Sequence, residues 1–220
     1  MLTLTSVNIG TERVVGKSVS GIYKRPMHGA QELSKTGIVG DVVSDSRHHG
    51  GPDQAVYVYG AKDYQWWQSE LNIELEPGTF GDNLTISDLS SREVHIGDQF
   101  VIADDVVLEV TAPRIPCATL GERMGDKHFP VLFRRAERPG FYCRVIRVGN
   151  LVANSEVIHI PYEREPCISV IDLFRLYYDQ GPALATLEAA LKAPLAMRER
   201  IRLTSILDRL IGTGRTTVGN

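Results

Sequence analysis

From residue 1 to about residue 162, apolar and polar side chains alternate in short runs, and a period of two predicts β-strands. The runs are Leu4 to Ile9, Ala55 to Tyr59, Asn83 to Ile86, Val94 to Ile96, Gln99 to Ile102, Val106 to Thr111, Phe141 to Val148 and Val157 to Ile160. Gly97-Asp98, Asp104-Asp105 and Gly149-Asn150 supply turns between several of them. Strands this short and frequent predict a barrel or sandwich rather than a parallel α/β sheet. One helix is predicted among them, Ala61 to Leu71, with Tyr64, Trp67 and Leu71 along a core-facing stripe.

The period then becomes helical. Ser169 and Asp172 form a capping box ahead of a stripe made by Val170, Ile171, Phe174 and Tyr178. Gly181-Pro182 ends that helix and opens a second, which carries Leu184, Leu187 and Leu191. Ala193-Pro194 opens a third, with Met197, Ile201, Thr204, Leu207 and Leu210 expected to face inward. The expected division is a β-domain over 1–165, three helices over 166–212 and a flexible tail over 213–220. So small a helical unit has little core of its own, which predicts packing on the barrel or on a second subunit.

Composition adds limits. A hydrophobic share of 43% and a charged share of 23% are those of an ordinary globular chain, which excludes disorder. The net charge of −3 excludes a wholly basic nucleic-acid binder. Between Pro113 and Val148, however, eight Lys or Arg face three Asp or Glu, so a small anionic ligand is expected there and no nucleic acid polymer. The three cysteines, Cys117, Cys143 and Cys167, are odd in number and widely spaced, with no disulfide framework. No signal-peptide pattern or membrane-length apolar run is seen, so a cytoplasmic setting without membrane attachment is expected.

Pro113-Arg114-Ile115-Pro116-Cys117 presents one thiol on a stiff, extended segment, because each proline fixes its own φ and restricts the residue before it. Arg114 favours the thiolate, the form that acts as nucleophile or soft-metal ligand; the plainer reading is a small buried apolar residue. In His48-His49-Gly50-Gly51-Pro52-Asp53, paired glycines allow close backbone approach to a ligand, with His49 and Asp53 at the edges. A plain turn capped by Asp53 is the alternative. Asn83, after Phe80-Gly81-Asp82, either bonds a heterocycle or satisfies its own loop. Arg144 either clamps a phosphate or pairs with a surface acid. Walker A, GxGxxG, HExxH and GxSxG patterns are absent, and Cys117 with His49 provides only two of the four ligands of a structural zinc site. A hydrolase built on Cys117 and His49 stays open.

Taken in order, His49-Gly50-Gly51-Pro52-Asp53-Gln54-Ala55-Val56, Phe80-Gly81-Asp82-Asn83-Leu84, Pro113-Arg114-Ile115-Pro116-Cys117 and Gly140-Phe141-Tyr142-Cys143-Arg144-Val145 resemble the MOSC domain family. The helical tail is similar to that of its YiiM-like branch. The resemblance implies a mainly β fold with α, a barrel-like domain followed by a small three-helix domain. It also implies binding of the molybdenum cofactor, a pterin with a dithiolene and a phosphate. Pyridoxal phosphate binding comes with it as a family-level label only.

On that resemblance Cys117 is the metal ligand, while His49 and Asp53 join it as catalytic candidates that orient substrate or relay protons. Lys24, Arg47, His49, Gly51, Asn83, Arg114 and Arg144 are the further cofactor-binding candidates, and His48 could stand in for them. Cys143 and Cys167 read as packing. The implied reaction is two-electron reduction of N-hydroxylated substrates such as hydroxylaminopurines, with electrons from a separate reductase protein. A cofactor or sulfur carrier without turnover is the second possibility. Three uses of the helices remain open: recognition of the electron donor, a homodimer contact, or cover for a barrel edge.

Overall fold

Alternation gives each strand one apolar face, and a sheet that closes with those faces inward has no bare edge left to protect. A computed structural model describes residues 1–15, 18–42 and 50–216, with Val15, Ser18 and 213–216 as backbone only. The strands are β1 (Leu2–Gly10), β2 (Arg13–Val15), β3 (Ser18–Ser20), β4 (Lys24–Pro26), β5 (Gln31–Ser34), β6 (Gly37–Ile38), β7 (Val56–Gly60), β8 (Leu84–Ile86), β9 (Gln99–Ile102), β10 (Val106–Pro113), β11 (Phe141–Arg147), β12 (Gly149–Leu151) and β13 (Glu156–Ile160). The helices are α1 (Ala61–Leu71), α2 (Ala118–Met124), α3 (Phe129–Ala136), α4 (Val170–Tyr178), α5 (Leu184–Lys192) and α6 (Met197–Thr216).

The barrel runs in the order β13-β9-β10-β11-β7-β8-β1 and closes where β1 pairs back to β13, Leu2 opposite Val157. Neighbours are antiparallel except β7 and β8, which run parallel with α1 in the crossover between them. Leu4, Val58, Leu84, Ile86, Leu108 and Val110 fill the interior, and the Phe100 and Phe141 rings stack there at 5.4 Å. A second, aromatic core lies outside the barrel wall, beneath α1, α2 and α3. There the Trp67 and Phe133 rings stack at 5.8 Å, and the Trp67 indole donates to the Tyr59 hydroxyl at 2.9 Å.

The three C-terminal helices pack on the barrel. Leu173, Leu176, Leu187, Leu195 and Leu203 belong to the same contiguous core as the barrel interior. The Ser169 hydroxyl accepts the Asp172 N–H at the start of α4, as the capping box predicts. Two backbone bonds tie this segment to the barrel, Ile96 N–H to the Ile168 carbonyl and Val170 N–H to the Val94 carbonyl. Among the described residues no helix is long and apolar enough to cross a membrane.

Besides the short strands β2 to β6 and β12, which the alternation did not single out, the structure departs from the sequence expectation in four places. The first 162 residues hold α2 and α3 besides α1. The run Val94 to Ile96 is not a strand; a short 3-10 turn precedes it, and His95 makes a single bridge to Ser169. The third C-terminal helix continues to Thr216, while 217–220 lie outside the described residues. Its buried face is also different: Leu203 is fully buried, whereas Met197 and Ile201 are 58% and 62% exposed. This helix has two apolar stripes, and the barrel takes the one carrying Leu203, Ile206 and Leu207.

Candidate functional site

β10 ends at Pro113, and the stiff segment beyond it delivers Cys117 to the residue just before α2. The Cys117 backbone is extended (φ −126°) and its side chain is half-buried. Three residues earlier, Arg114 turns inward and is only 4% exposed. Its guanidinium lies over the Tyr57 ring at 5.1 Å and the Phe133 ring at 6.0 Å, and Nη1 donates to the Phe80 carbonyl. Burial opposes the Arg114 charge, but Tyr57, Tyr142 and Cys117 face it and raise its pKa above the ordinary arginine value. Its buried Nε has no hydrogen-bond partner among the described residues. A buried cation with an unused donor is costly unless an acceptor meets it.

Lys24 is the second inward cation, 8% exposed, with Nζ 2.5 Å from both Asp41 carboxylate oxygens. Burial lowers the Lys24 pKa, and Asp41 pulls the other way. Asp41 also accepts the Gly10 N–H and the Asn83 Nδ2, each at 2.8 Å. Asn83 in turn accepts the Tyr57 N–H at 3.1 Å on Oδ1. The Phe80-to-Leu84 turn makes this placement possible. Gly81 adopts φ +79°, and a Cβ there would stand 2.9 Å from the Ile22 side chain. Beside it Asp82 is fully buried and accepts the Tyr64 hydroxyl at 2.6 Å and the Thr85 hydroxyl at 2.8 Å. Burial pushes the Asp82 carboxyl up despite those bonds. Lys24, Asn83 and Arg114 therefore lie in one buried polar neighbourhood, with Cys117 in electrostatic reach of Arg114.

Asp53 and Arg144 sit apart from that group, on the seam between barrel and helices. Asp53 Oδ2 accepts the Met197 N–H at 2.9 Å, which caps α6. Its Oδ1 stands 3.2 Å from Arg144 Nε, and Arg144 Nη2 donates to the carbonyls of Leu195 at 2.9 Å and Pro194 at 3.2 Å. Arg144 thus pairs with Asp53 and holds the segment that leads into α6. Gly51 takes φ +83° ahead of the Pro52 turn, with open space around its Cα. Arg47, His48 and His49 lie outside the described residues. Cys143 is fully buried in the barrel core and burial pushes its thiol up; burial likewise raises that of Cys167, which is half-buried near the Tyr162 carbonyl.

Three residues of the neighbourhood escaped the sequence reading. Tyr57 and Tyr142 form an aromatic pair with centroids 5.1 Å apart, and both face Arg114. For Tyr142 a signal existed, since alternation along Phe141-Tyr142-Cys143-Arg144 puts it on the face of Arg144. Asp41, which holds Lys24, gave none, because a lone Gly-Asp pair marks many turns. Among the described residues no three His, Cys, Asp or Glu are grouped as metal ligands. The inward groups are the cations of Lys24 and Arg114, the amide of Asn83, the carboxyls of Asp41 and Asp82 and the phenols of Tyr57 and Tyr142; Asp41 takes up the Lys24 charge, which leaves Arg114 as the inward cation for an anionic ligand.

Comparison with known proteins gives a family match and several relatives. Residues 45–158 match the MOSC domain. YflK of Bacillus subtilis is 34% identical over 216 residues, which cover 95% of this chain and 96% of YflK. A protein of Gibberella moniliformis named reductase is 31% identical over 196 residues, covering 85% of this chain and 35% of that protein. The crystal structure of YiiM from Geobacillus stearothermophilus aligns with a TM-score of 0.79 at 22% identity, over 94% of this chain and 100% of that one. At that identity the last likeness is one of fold.

Proposed function

The chain belongs to the MOSC domain family, and from that premise we propose that it binds a molybdenum cofactor at Cys117 and reduces N-hydroxylated compounds such as hydroxylaminopurines, in the cytoplasm. The relative named reductase supports the oxidoreductase class. The observation that carries the reading is Arg114, a buried cation with an unpaired Nε in the electrostatic reach of the half-buried Cys117. An oxyanion from a pterin phosphate satisfies that donor, and the thiolate that Arg114 favours suits a soft metal.

When bound, the molybdenum–pterin group supplies the two-electron redox chemistry. In the overall reaction the N-hydroxyl compound takes up two electrons and two protons, its N–O bond breaks, and amine and water leave. The electrons come from a separate reductase protein. The residues of the chain bind, orient and manage protons. Arg114 and Lys24 would hold the anionic end of the cofactor. Asn83 fixes Asp41, and Asp41 fixes Lys24, so the ammonium is already oriented before ligand arrives. Burial lowers the Lys24 pKa, and the bonds to Asp41 oppose that shift and favour the ammonium. His49, which lies outside the described residues, is the proton-transfer candidate that the family resemblance implies. Asp53 acts at one remove, by fixing the start of α6.

The test uses protein purified from a host that makes the cofactor, reduced methyl viologen as electron donor and hydroxylaminopurine as substrate. Wild type forms the aminopurine and Cys117→Ala does not. Cofactor-loaded wild type that reduces no N-hydroxylated compound would leave a carrier and remove the enzyme.

A further inference from the structure

α6 gives the barrel one of its apolar stripes, the one with Leu203, Ile206 and Leu207. The other faces solvent. Met197, Ile201, Thr204, Asp208 and Ile211 follow one another at alternate spacings of four and three residues, so they line up on one side of the helix. Its apolar members are 58%, 62% and 43% exposed (Met197, Ile201 and Ile211). Met197, Arg200, Ile201, Thr204, Ser205 and Asp208 line an open groove of about 600 Å³ along this side.

The stripe matches its own reverse. Thr204 is its midpoint, with Met197 seven residues before it and Ile211 seven after, Arg200 four before and Asp208 four after. A two-fold axis through Thr204, normal to the helix, therefore lays Met197 of one copy against Ile211 of an antiparallel second copy, and Arg200 against Asp208. Within one chain both charges await a partner of opposite sign. The Asp208 carboxylate is exposed and has no partner among the described residues. Arg200 donates to the Leu191 carbonyl at 2.6 Å and the Ala193 carbonyl at 2.7 Å, which fixes the guanidinium in place and leaves its charge unpaired. Thr204 and Ser205 at the crossing are small, which suits helix axes about 8–10 Å apart.

Charge also selects the register. An axis moved to between Thr204 and Ser205 sets Arg200 against Arg209, and one moved to between Leu203 and Thr204 sets Asp208 against Glu199. A parallel pair sets Arg200 and Asp208 each beside its own copy. Only the antiparallel pair centred on Thr204 opposes unlike charges.

We propose that α6 is the contact of a homodimer, packed antiparallel on the α6 of a second copy about an axis through Thr204. The apolar ends supply the burial and the two Arg200–Asp208 pairs set the register. The stripe is about 21 Å long at about 1.5 Å per residue. One helix pair of that length covers less than the roughly 800 Å² per partner of a standard interface, so the dimer dissociates on dilution.

The test is sedimentation velocity on the full chain from about 1 to about 200 μM, with the melting temperature of each variant as a check on folding. Wild type passes from monomer to dimer over that range. Ile201→Asp stays monomeric, and Asp208→Arg, which opposes like charges, raises the dissociation constant by about tenfold or more. Thr204→Cys lies on the axis facing its own copy, and under copper phenanthroline it gives a disulfide-linked dimer that wild type does not. Wild type that is monomeric throughout overturns the proposal, and so does Ile201→Asp that dimerises as wild type does. An unchanged constant for Asp208→Arg, or no added cross-link at position 204, overturns the antiparallel pairing and the proposal with it.

Discussion

Arg144 and Asp53 meet at 3.2 Å on the seam between barrel and helices, with Arg144 gripping the chain just before α6 and Asp53 capping the helix itself. Two residues whose motifs point to ligand chemistry are thus employed in joining two parts of the fold. Asp53→Ala removes a helix cap and a partly shielded ion pair, and the expected loss of stability is about 1–2 kcal/mol. A urea midpoint unchanged from wild type would contradict this placement.

The shared core makes a second prediction. Leu203 is fully buried against residues of the barrel cluster, and Leu203→Ala is expected to cost about 2–5 kcal/mol. Because barrel and helices share one core, unfolding followed by tryptophan fluorescence and by far-ultraviolet circular dichroism gives coincident transitions. Helices that melt well before the barrel would show the core to be divided.

Much of this was legible beforehand. The predicted helix Ala61 to Leu71 and strand Gln99 to Ile102 coincide with α1 and β9, since long amphipathic periods and clean alternation need no tertiary context. α2 and α3 were hidden because Pro116, Gly121, Gly125 and Pro130 break up the helical period over elements of seven and eight residues. The face of α6 was ambiguous because periodicity offers two apolar stripes and only packing chooses. At the site, cations and the thiol could be read from residue type. The grip of Asp41 on Lys24 could not, because it joins residues that only the barrel brings together.

Asp41 carries the third prediction. Asp41→Ala leaves the Lys24 ammonium buried without its carboxylate, at an expected cost of about 3–5 kcal/mol. The double variant Lys24→Met, Asp41→Ala removes the charge as well and recovers part of that loss. Double-mutant denaturation curves check it; a double variant as unstable as the sum of the singles would contradict the pairing.

Stability also depends on pH through Asp98, which is 1% exposed. Burial alone would raise the Asp98 carboxyl, but bonds from His159 at 2.7 Å, His95 N–H at 2.9 Å and Tyr162 N–H at 2.8 Å outweigh it and lower its pKa. A carboxyl held lower in the folded than in the unfolded chain stabilises above its unfolded pKa, and that contribution fades as pH falls through the folded one. Wild type is therefore expected to lose stability below about pH 4, and Asp98→Asn to show a flatter acid limb. Identical acid limbs in urea titrations would exclude Asp98 as the source.

The central claim is tested most directly by elemental analysis with pterin quantification on freshly purified protein from a cofactor-producing host, wild type beside Cys117→Ala. The account predicts molybdenum and pterin in stoichiometric amounts on wild type, and loss of molybdenum from Cys117→Ala while its fold is retained. Wild type without molybdenum, or Cys117→Ala that keeps both metal and pterin in full, would contradict it.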